Sequence, residues 1–161
     1  MKYAILLVCA LVFAFSAKAG DSITDLSAAL EKAKAEKKLL FIEYGREACG
    51  NCQALKQYIK SHTLSIPKSQ FVYADLDCDA PAVSKPFHAM FKVQGNTLPF
   101  VVITDSEGKQ LASKTGYGTV LEYQKLLREA KKKAGPASGS SSRSSFDEAF
   151  EKGFKKTPVN P

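Results

Sequence analysis

The sequence predicts an α/β fold in which a mixed central sheet of about four strands has helices on both faces. Two observations lead to this class. Segments whose apolar residues recur at helical spacing alternate with short apolar runs, in the order α β α β α β β α. A helix separates each of the first three strands, so we expect those strands to pair in parallel. The turn Asp105–Gly108 joins the last two strands, Phe100–Thr104 and Lys109–Lys114, in an antiparallel hairpin.

The first half of the chain alternates helix and strand. Thr24 or Asp25 can cap the first helix, which ends in a run of charged residues. Leu39–Tyr44 is a short apolar and aromatic run, and a glycine follows it, so it predicts a buried strand. The next helix extends from Cys49 to about His62, with its apolar residues on one face.

The second half repeats this alternation. Phe71–Leu76 predicts the second strand, and Ser84–Phe91 predicts a helix that is capped by its first residue and carries Pro86 in its first turn. Phe100–Thr104 is rich in β-branched residues and predicts the third strand. Residues 119–133 form the last helix, which has one apolar face and ends at a glycine and a proline.

The first nineteen residues have the features of a secretory signal peptide. Lys2 supplies a positive charge, and Ala4–Phe15 is an unbroken apolar run. The small residues Ala17 and Ala19 form a cleavage site before Gly20. The apolar run is too short to cross a bilayer, which needs about 20 residues. We therefore expect an exported protein, secreted or periplasmic.

The positive charge of the chain lies mainly outside the predicted folded part. The formal net charge is +7. Residues 20–130 contain 14 Lys and Arg against 13 Asp and Glu, whereas residues 131–161 contain 7 against 3. A nearly neutral folded part does not suit a nucleic-acid-binding domain, so we expect no nucleic-acid partner.

We expect the protein to be a monomer. The composition divides its chain into four parts. These parts are a signal peptide at 1–19, a folded domain at 20–134, a flexible Gly/Ser linker at 135–145 and an aromatic, basic tail at 146–161. Phe146, Phe150 and Phe154 recur every four residues in the tail. Two interpretations stay open: a short helix that makes a weak contact with a partner or a membrane surface, or a tail without a stable helix.

The sequence Cys49-Gly50-Asn51-Cys52 follows a predicted strand and opens a predicted helix. Backbone N–H groups at a helix N-terminus favour the thiolate, which is the species that attacks a disulfide. The second thiol can reach back across one helical turn and release the mixed disulfide. We therefore predict that Cys49 is the nucleophile and Cys52 the resolving thiol. This chemistry needs no cofactor, and its partners are protein thiols and disulfides and a redox partner protein.

The segment Leu40–Cys52, together with Leu98-Pro99-Phe100, resembles the active-site strand, helix start and cis-proline loop of the thioredoxin superfamily. The resemblance covers roughly residues 21–133 and implies a thioredoxin-like fold. It implies that Glu43 is a buried carboxylate with a raised pKa that relays a proton to or from Cys52. The alternative is a glutamate that points outward at a strand end.

The resemblance also implies that the bond before Pro99 is cis and that the backbone of Leu98 pairs with a substrate strand beside the cysteines. The alternative is an ordinary trans proline that starts a strand. Around the pair, Ala48, Gly50 and Asn51 would contact substrate. Ala48 replaces the usual tryptophan, and the Gly50-Asn51 dipeptide is neither the Gly-Pro of thioredoxins nor the Gly-His of disulfide isomerases. The direction of the reaction is therefore open, and we take reduction as the working expectation.

Two other functions compete with disulfide exchange. The first is a non-catalytic binding module in which Cys49 and Cys52 form a static disulfide. The second is a zinc site that adds His62 and His88 to the pair, but this spacing matches no standard zinc finger, so we expect no metal. Cys78 is expected to be an incidental cysteine at a strand end; the alternative is an intermolecular disulfide or a role as a partner in disulfide transfer.

Overall fold

A computed structural model describes residues 22–93 and 95–135, which form one four-stranded sheet and four helices. The predicted signal peptide, nearly all of the linker and the whole tail lie outside the described residues, so these parts stay predictions. The elements are α1 (Leu26–Glu36), β1 (Leu39–Gly45), α2 (Gly50–Lys60), β2 (Phe71–Asp77), α3 (Pro81–Met90), β3 (Phe100–Thr104), β4 (Gln110–Thr115) and α4 (Val120–Ala134).

The strand order is β2-β1-β3-β4. β1 and β2 are parallel, with Leu39 opposite Phe71, and β3 and β4 form the predicted antiparallel hairpin. The parallel pairing predicted for β3 is wrong, because β3 is antiparallel to β1 and Phe100 lies opposite Tyr44. Residues 91–99 connect α3 to β3 at the edge where β1 and β2 end. The chain therefore enters β3 from the carboxyl end of β1 and runs in the reverse direction.

β1 is the central strand, and all 7 of its residues are buried. Helices α1 and α3 pack against one face of the sheet through Leu26, Ala29, Val83 and Phe87. Helices α2 and α4 pack against the other face through Leu55, Tyr123, Leu126 and Leu127. A strand that is covered on both faces is expected to be apolar throughout, and Glu43 is the exception in β1. The predicted arrangement of helices on both faces is confirmed.

Helix α3 starts earlier than the sequence predicts. It begins at Pro81, with Ala80 as an N-cap that makes no side-chain hydrogen bond. The prediction that Ser84 caps the helix is wrong, and Pro86 lies inside the helix rather than in its first turn. A proline fits the first helical position because its φ angle is already helical. The ring of Phe87 stacks on Tyr44 with centroids 4.0 Å apart, which fixes the helix to the sheet.

Side chains cap two of the other helices. Asp25 accepts a hydrogen bond from the N–H of Ala28 and caps α1, which decides between the two predicted caps. Thr119 and Glu122 form a reciprocal capping box at the start of α4. Within the described ranges, every helix is too short or too polar to cross a bilayer.

Candidate active site

The predicted cysteine pair lies at the N-terminus of α2. Cys49 is the N-cap residue, and its Sγ accepts a hydrogen bond from the N–H of Cys52 at 3.2 Å. The two sulfur atoms are paired as a disulfide, with Cα atoms 5.2 Å apart. The N–H groups at a helix start carry partial positive charge. In the reduced protein this position therefore favours negative charge on the sulfur of Cys49.

The two cysteines differ in accessibility. Cys49 is half-buried, whereas Cys52 is 0% exposed. The intervening Gly50 and Asn51 and the preceding Ala48 are exposed. An incoming sulfur can therefore reach Cys49 but not Cys52. This difference agrees with the order of attack that the sequence analysis assigns to the pair.

Gly45 lets Cys52 pack against the end of β1. A Cβ atom at this position would lie 2.8 Å from the Sγ atom of Cys52 and 3.2 Å from its Cβ atom. These separations are shorter than van der Waals contact. The absence of a side chain at Gly45 is therefore required by the close packing of α2 on the strand.

Glu43 is 0% exposed, and it lies on the face of β1 that also carries Phe41 and packs against α2 and α4. The hydroxyl of Tyr73 donates a hydrogen bond to its Oε2 at 2.9 Å, while Oε1 has no hydrogen-bond partner among the described residues. Burial raises the pKa of Glu43 to about 7, and the nearby charge of Asp75 adds to the rise. The Tyr73 hydrogen bond and two lysines oppose it. The outward-facing alternative is wrong, while the proton-relay role stays a prediction.

A second charged pair lies beside Glu43. Asp75 is opposite Glu43 in the parallel register of β1 and β2. Its Oδ2 lies 2.8 Å from the Nζ of Lys56 on α2, and both side chains are mostly buried. Sequence reasoning missed Tyr73, Asp75 and Lys56. Tyr73 and Asp75 alternate along β2 and therefore share one face of the sheet. To predict from this that they lie beside Glu43, the register between β1 and β2 must be known.

The loop before β3 lies at the same edge of the sheet as the cysteine pair. The Leu98–Pro99 peptide bond is cis, as the resemblance implies. Pro99 is buried, and its carbonyl accepts a hydrogen bond from the N–H of Gly116 at 2.8 Å. Gly116 has a φ of +79°, a conformation that favours glycine. Because Phe100 lies opposite Tyr44, this loop and the segment that leads to Cys49 leave neighbouring strands at one edge.

The histidines of the alternative zinc site have other environments. The Nε2 of His88 lies 3.2 Å from the hydroxyl of Tyr44, and His62 lies in the turn that follows α2. Among residues 22–93 and 95–135, the only group that brings three potential metal ligands together is Asp77, Cys78 and Asp79 at the end of β2. This group contains neither cysteine of the pair.

Comparison with solved structures identifies the fold. The chain is 15% identical to a mutant thioredoxin from Halobacterium salinarum NRC-1, with a TM-score of 0.53, and the match covers 68% of this chain and 90% of that chain. A chain from a complex of ferredoxin:thioredoxin reductase and thioredoxin f2 is 17% identical with a TM-score of 0.54, covering 68% of this chain and 93% of its own.

The short form of thioredoxin f from spinach chloroplast is 18% identical with a TM-score of 0.51, and the match covers 71% of this chain and 93% of that chain. No protein-family model matches the sequence, and no curated protein matches it either. The structural similarity establishes the fold. Sequence identities this low do not establish the activity, which has to be argued from the site. The chain therefore has the thioredoxin fold that its cysteine pair and proline loop predict.

Proposed function

We propose that this protein is an extracytoplasmic thiol–disulfide oxidoreductase that exchanges dithiol and disulfide with protein substrates through Cys49 and Cys52, and that it acts mainly as a reductase. The hydrogen bond from the Cys52 N–H to the Sγ of Cys49 carries the proposal. It comes from a helix N-terminus, where backbone groups stabilise a thiolate. A cysteine that serves only as a structural link needs no such stabilisation.

Reduction of a substrate proceeds in two displacements. The thiolate of Cys49 attacks one sulfur of the substrate disulfide, which forms a mixed disulfide and releases the other substrate sulfur as a thiolate. The thiolate of Cys52 then attacks the Sγ of Cys49, which closes the Cys49–Cys52 disulfide and releases the second substrate thiolate. Two electrons pass from the protein to the substrate. A redox partner protein returns them by the same steps in reverse.

Cys52 must lose its proton before the second displacement, and it is 0% exposed to water. Glu43 is buried on the same side of the sheet as α2, and its pKa is raised to about 7. A base with a pKa near the working pH can both take and return a proton. We therefore assign Glu43 as the group that accepts the proton of Cys52. During reduction of a substrate Glu43 takes this proton, and when the redox partner opens the Cys49–Cys52 disulfide Glu43 returns it.

The loop at Leu98 and Pro99 is proposed to bind the substrate backbone. It lies at the same sheet edge as the cysteine pair, and Leu98 is half-buried. An extended substrate segment can add its main-chain hydrogen bonds to such an edge. Ala48, Gly50 and Asn51 are exposed around Cys49 and complete this surface.

The extracytoplasmic location rests on the features of residues 1–19. A positive residue, an apolar run and a small-residue cleavage site occur there in the order that a signal peptide requires. We expect the exported protein to begin at Gly20. Mass spectrometry of the protein from a cell-envelope or culture-medium fraction tests this, and a mature chain that still begins at Met1 contradicts it.

The exchange mechanism is tested by trapping. In Cys52→Ser the second displacement is blocked, so Cys49 should accumulate as a mixed disulfide with substrate proteins. Both the trap and its control carry Cys78→Ser, which leaves Cys49 as the only remaining described cysteine. The control adds Cys49→Ser and should form no adducts. If Cys49 stays free in the trap variant among disulfide-containing proteins, the mechanism is wrong.

A redox titration separates the enzyme from a binding module. Thiol alkylation and mass spectrometry across a series of redox buffers give the reduction potential of the pair. A reversible two-electron transition between about −120 and −300 mV supports exchange, and a value near the low end supports a reductase. A pair that stays oxidised well below about −300 mV is a structural disulfide, and the protein would then be the binding module.

A further inference from the structure

A cleft of about 490 Å³ opens where β1 and β2 end, on the α1 and α3 side of the sheet. Its floor is formed by Tyr44, which is 4% exposed, and by the half-buried Cys78 and Leu98. Exposed side chains of Arg46 and His88 form its rim. The volume is within the usual range of ligand pockets, about 300–1,000 Å³, and is large enough for more than one amino-acid side chain.

The walls of this cleft are continuous with the exchange site. The carbonyl of Arg46 accepts a hydrogen bond from the N–H of Cys49 at 3.2 Å, so the segment that holds Arg46 also positions the nucleophile. Leu98 is the residue that precedes the cis bond to Pro99. A polypeptide that pairs with the backbone of Leu98 would therefore contact a residue that lines the cleft.

The cleft offers one group that can bind a negatively charged ligand, the guanidinium of Arg46. Of the described residues that line it, Arg46 alone carries a full charge, while the carboxylates of Asp77 and Asp79 lie next to the lining thiol of Cys78. Tyr44 and His88 bond to each other and add a hydroxyl and an imidazole. A guanidinium can bind a carboxylate through two parallel hydrogen bonds, which gives such a contact both strength and direction.

Arg46 is already paired, but the pair is open to solvent. One of its terminal nitrogens lies 3.2 Å from the Oδ1 of Asp79, and the two side chains are 47% and 57% exposed. Exposed ion pairs contribute little to stability, roughly 0–1 kcal/mol. A carboxylate that enters the cleft therefore competes with Asp79 for a pair of this size. Asp79 would keep the guanidinium oriented until a substrate arrives.

We propose that this cleft is a substrate subsite that receives an acidic side chain of a polypeptide close to its reactive cysteine, with Arg46 as the residue that selects it. The proposal rests on the proposed function, because it names the class of polypeptide that the exchange site takes. Substrate choice would then depend on acidic residues next to the substrate disulfide that the protein reduces.

The test uses synthetic peptide disulfides that differ only in one residue, Glu, Gln or Lys, at each of the positions flanking the cysteine. The wild-type protein is expected to reduce the Glu peptide roughly fivefold faster, in kcat/KM, than the Gln peptide. Arg46→Gln should abolish this ratio, and Arg46→Glu should reverse it in favour of the Lys peptide. Arg128→Gln is the matched control, since Arg128 is exposed on α4 at the opposite face of the sheet, and it should keep the wild-type ratio.

If Arg46→Glu prefers the Lys peptide over the Glu peptide, Arg46 selects the substrate by charge. A variant with a damaged site would instead reduce all three peptides more slowly by the same factor. Equal rates for the Glu and Gln peptides in the wild-type protein would overturn the subsite, as would a ratio that survives Arg46→Gln. In both cases the neutral peptide still turns over, so the proposed function stands. If no peptide is reduced at all, the proposed function fails and the subsite fails with it.

Discussion

Replacing Glu43 with glutamine should make the protein more stable above neutral pH. The carboxyl titrates near 4.5 in an unfolded chain, and burial raises its pKa in the folded protein to about 7. Between these values the folded protein binds more protons than the unfolded chain, so the free energy of unfolding falls as the pH rises. The fall is complete above about pH 7, where the buried carboxylate is charged.

The size of the effect follows from the shift. At 1.36 kcal/mol for each pKa unit, the rise from 4.5 to about 7 lowers the stability of the wild-type protein by about 3 kcal/mol at high pH. Glu43→Gln has no charge to bury, and its amide oxygen can still accept the hydrogen bond from Tyr73. The variant should therefore match the wild-type protein near pH 4.5 and exceed it by about 3 kcal/mol near pH 8.5.

The assay is urea unfolding of the oxidised protein, followed by circular dichroism at a series of pH values. Because groups far from this site titrate equally in both proteins, the difference between the two free energies reports on Glu43 and the charged groups beside it. Glu31→Gln, on the exposed face of α1, is the control for the loss of a carboxylate outside the core. A difference for Glu43→Gln that does not change with pH would refute the reasoning. The same variant should slow disulfide exchange near pH 7 by about tenfold or more if Glu43 takes the proton of Cys52.

Three further changes test the surroundings of the pair. Tyr73→Phe removes a hydrogen bond that favours the charged carboxylate, so the pKa of Glu43 should rise further. The variant should therefore lose about 1–2 kcal/mol more stability near pH 8.5 than near pH 5. Equal losses of stability at both pH values would contradict this. Gly45→Ala places a Cβ atom 2.8 Å from the Sγ atom of Cys52. Thermal unfolding of the oxidised protein should therefore show a destabilisation of about 1–3 kcal/mol. An unchanged melting temperature would contradict the close packing of Cys52 on Gly45. Thr119→Ala breaks the capping box of α4 and should cost about 1 kcal/mol in urea unfolding while exchange rates stay the same.

The features that depend on local sequence could be predicted, and the cysteine pair is the main example. A C-x-x-C between an apolar strand and a helical pattern is sufficient to place Cys49 at a helix N-terminus, and the structure has it there as the N-cap. The burial of Glu43 could be inferred only through a resemblance, because a glutamate in an apolar run has no periodicity that distinguishes an inward from an outward side chain.

The features that depend on pairing between distant segments could not be predicted. The contact of Tyr73 with Glu43 requires the parallel register of β1 and β2, in which the two residues are two positions apart. The reversed direction of β3 depends on where residues 91–99 return the chain, and their composition does not determine this. α3 begins at Pro81, whose φ angle suits the first helical position, rather than after the capping signal at Ser84.

The reversed direction of β3 also bears on the cysteine pair in the chain before it folds. Cys49 and Pro99 belong to segments that meet only when β3 pairs with β1, and the N–H groups that favour a thiolate exist only once α2 has formed. An unfolded chain therefore carries two ordinary thiols at these positions. The environment that favours the thiolate of Cys49 therefore arises only with the fold, and an unfolded chain lacks it.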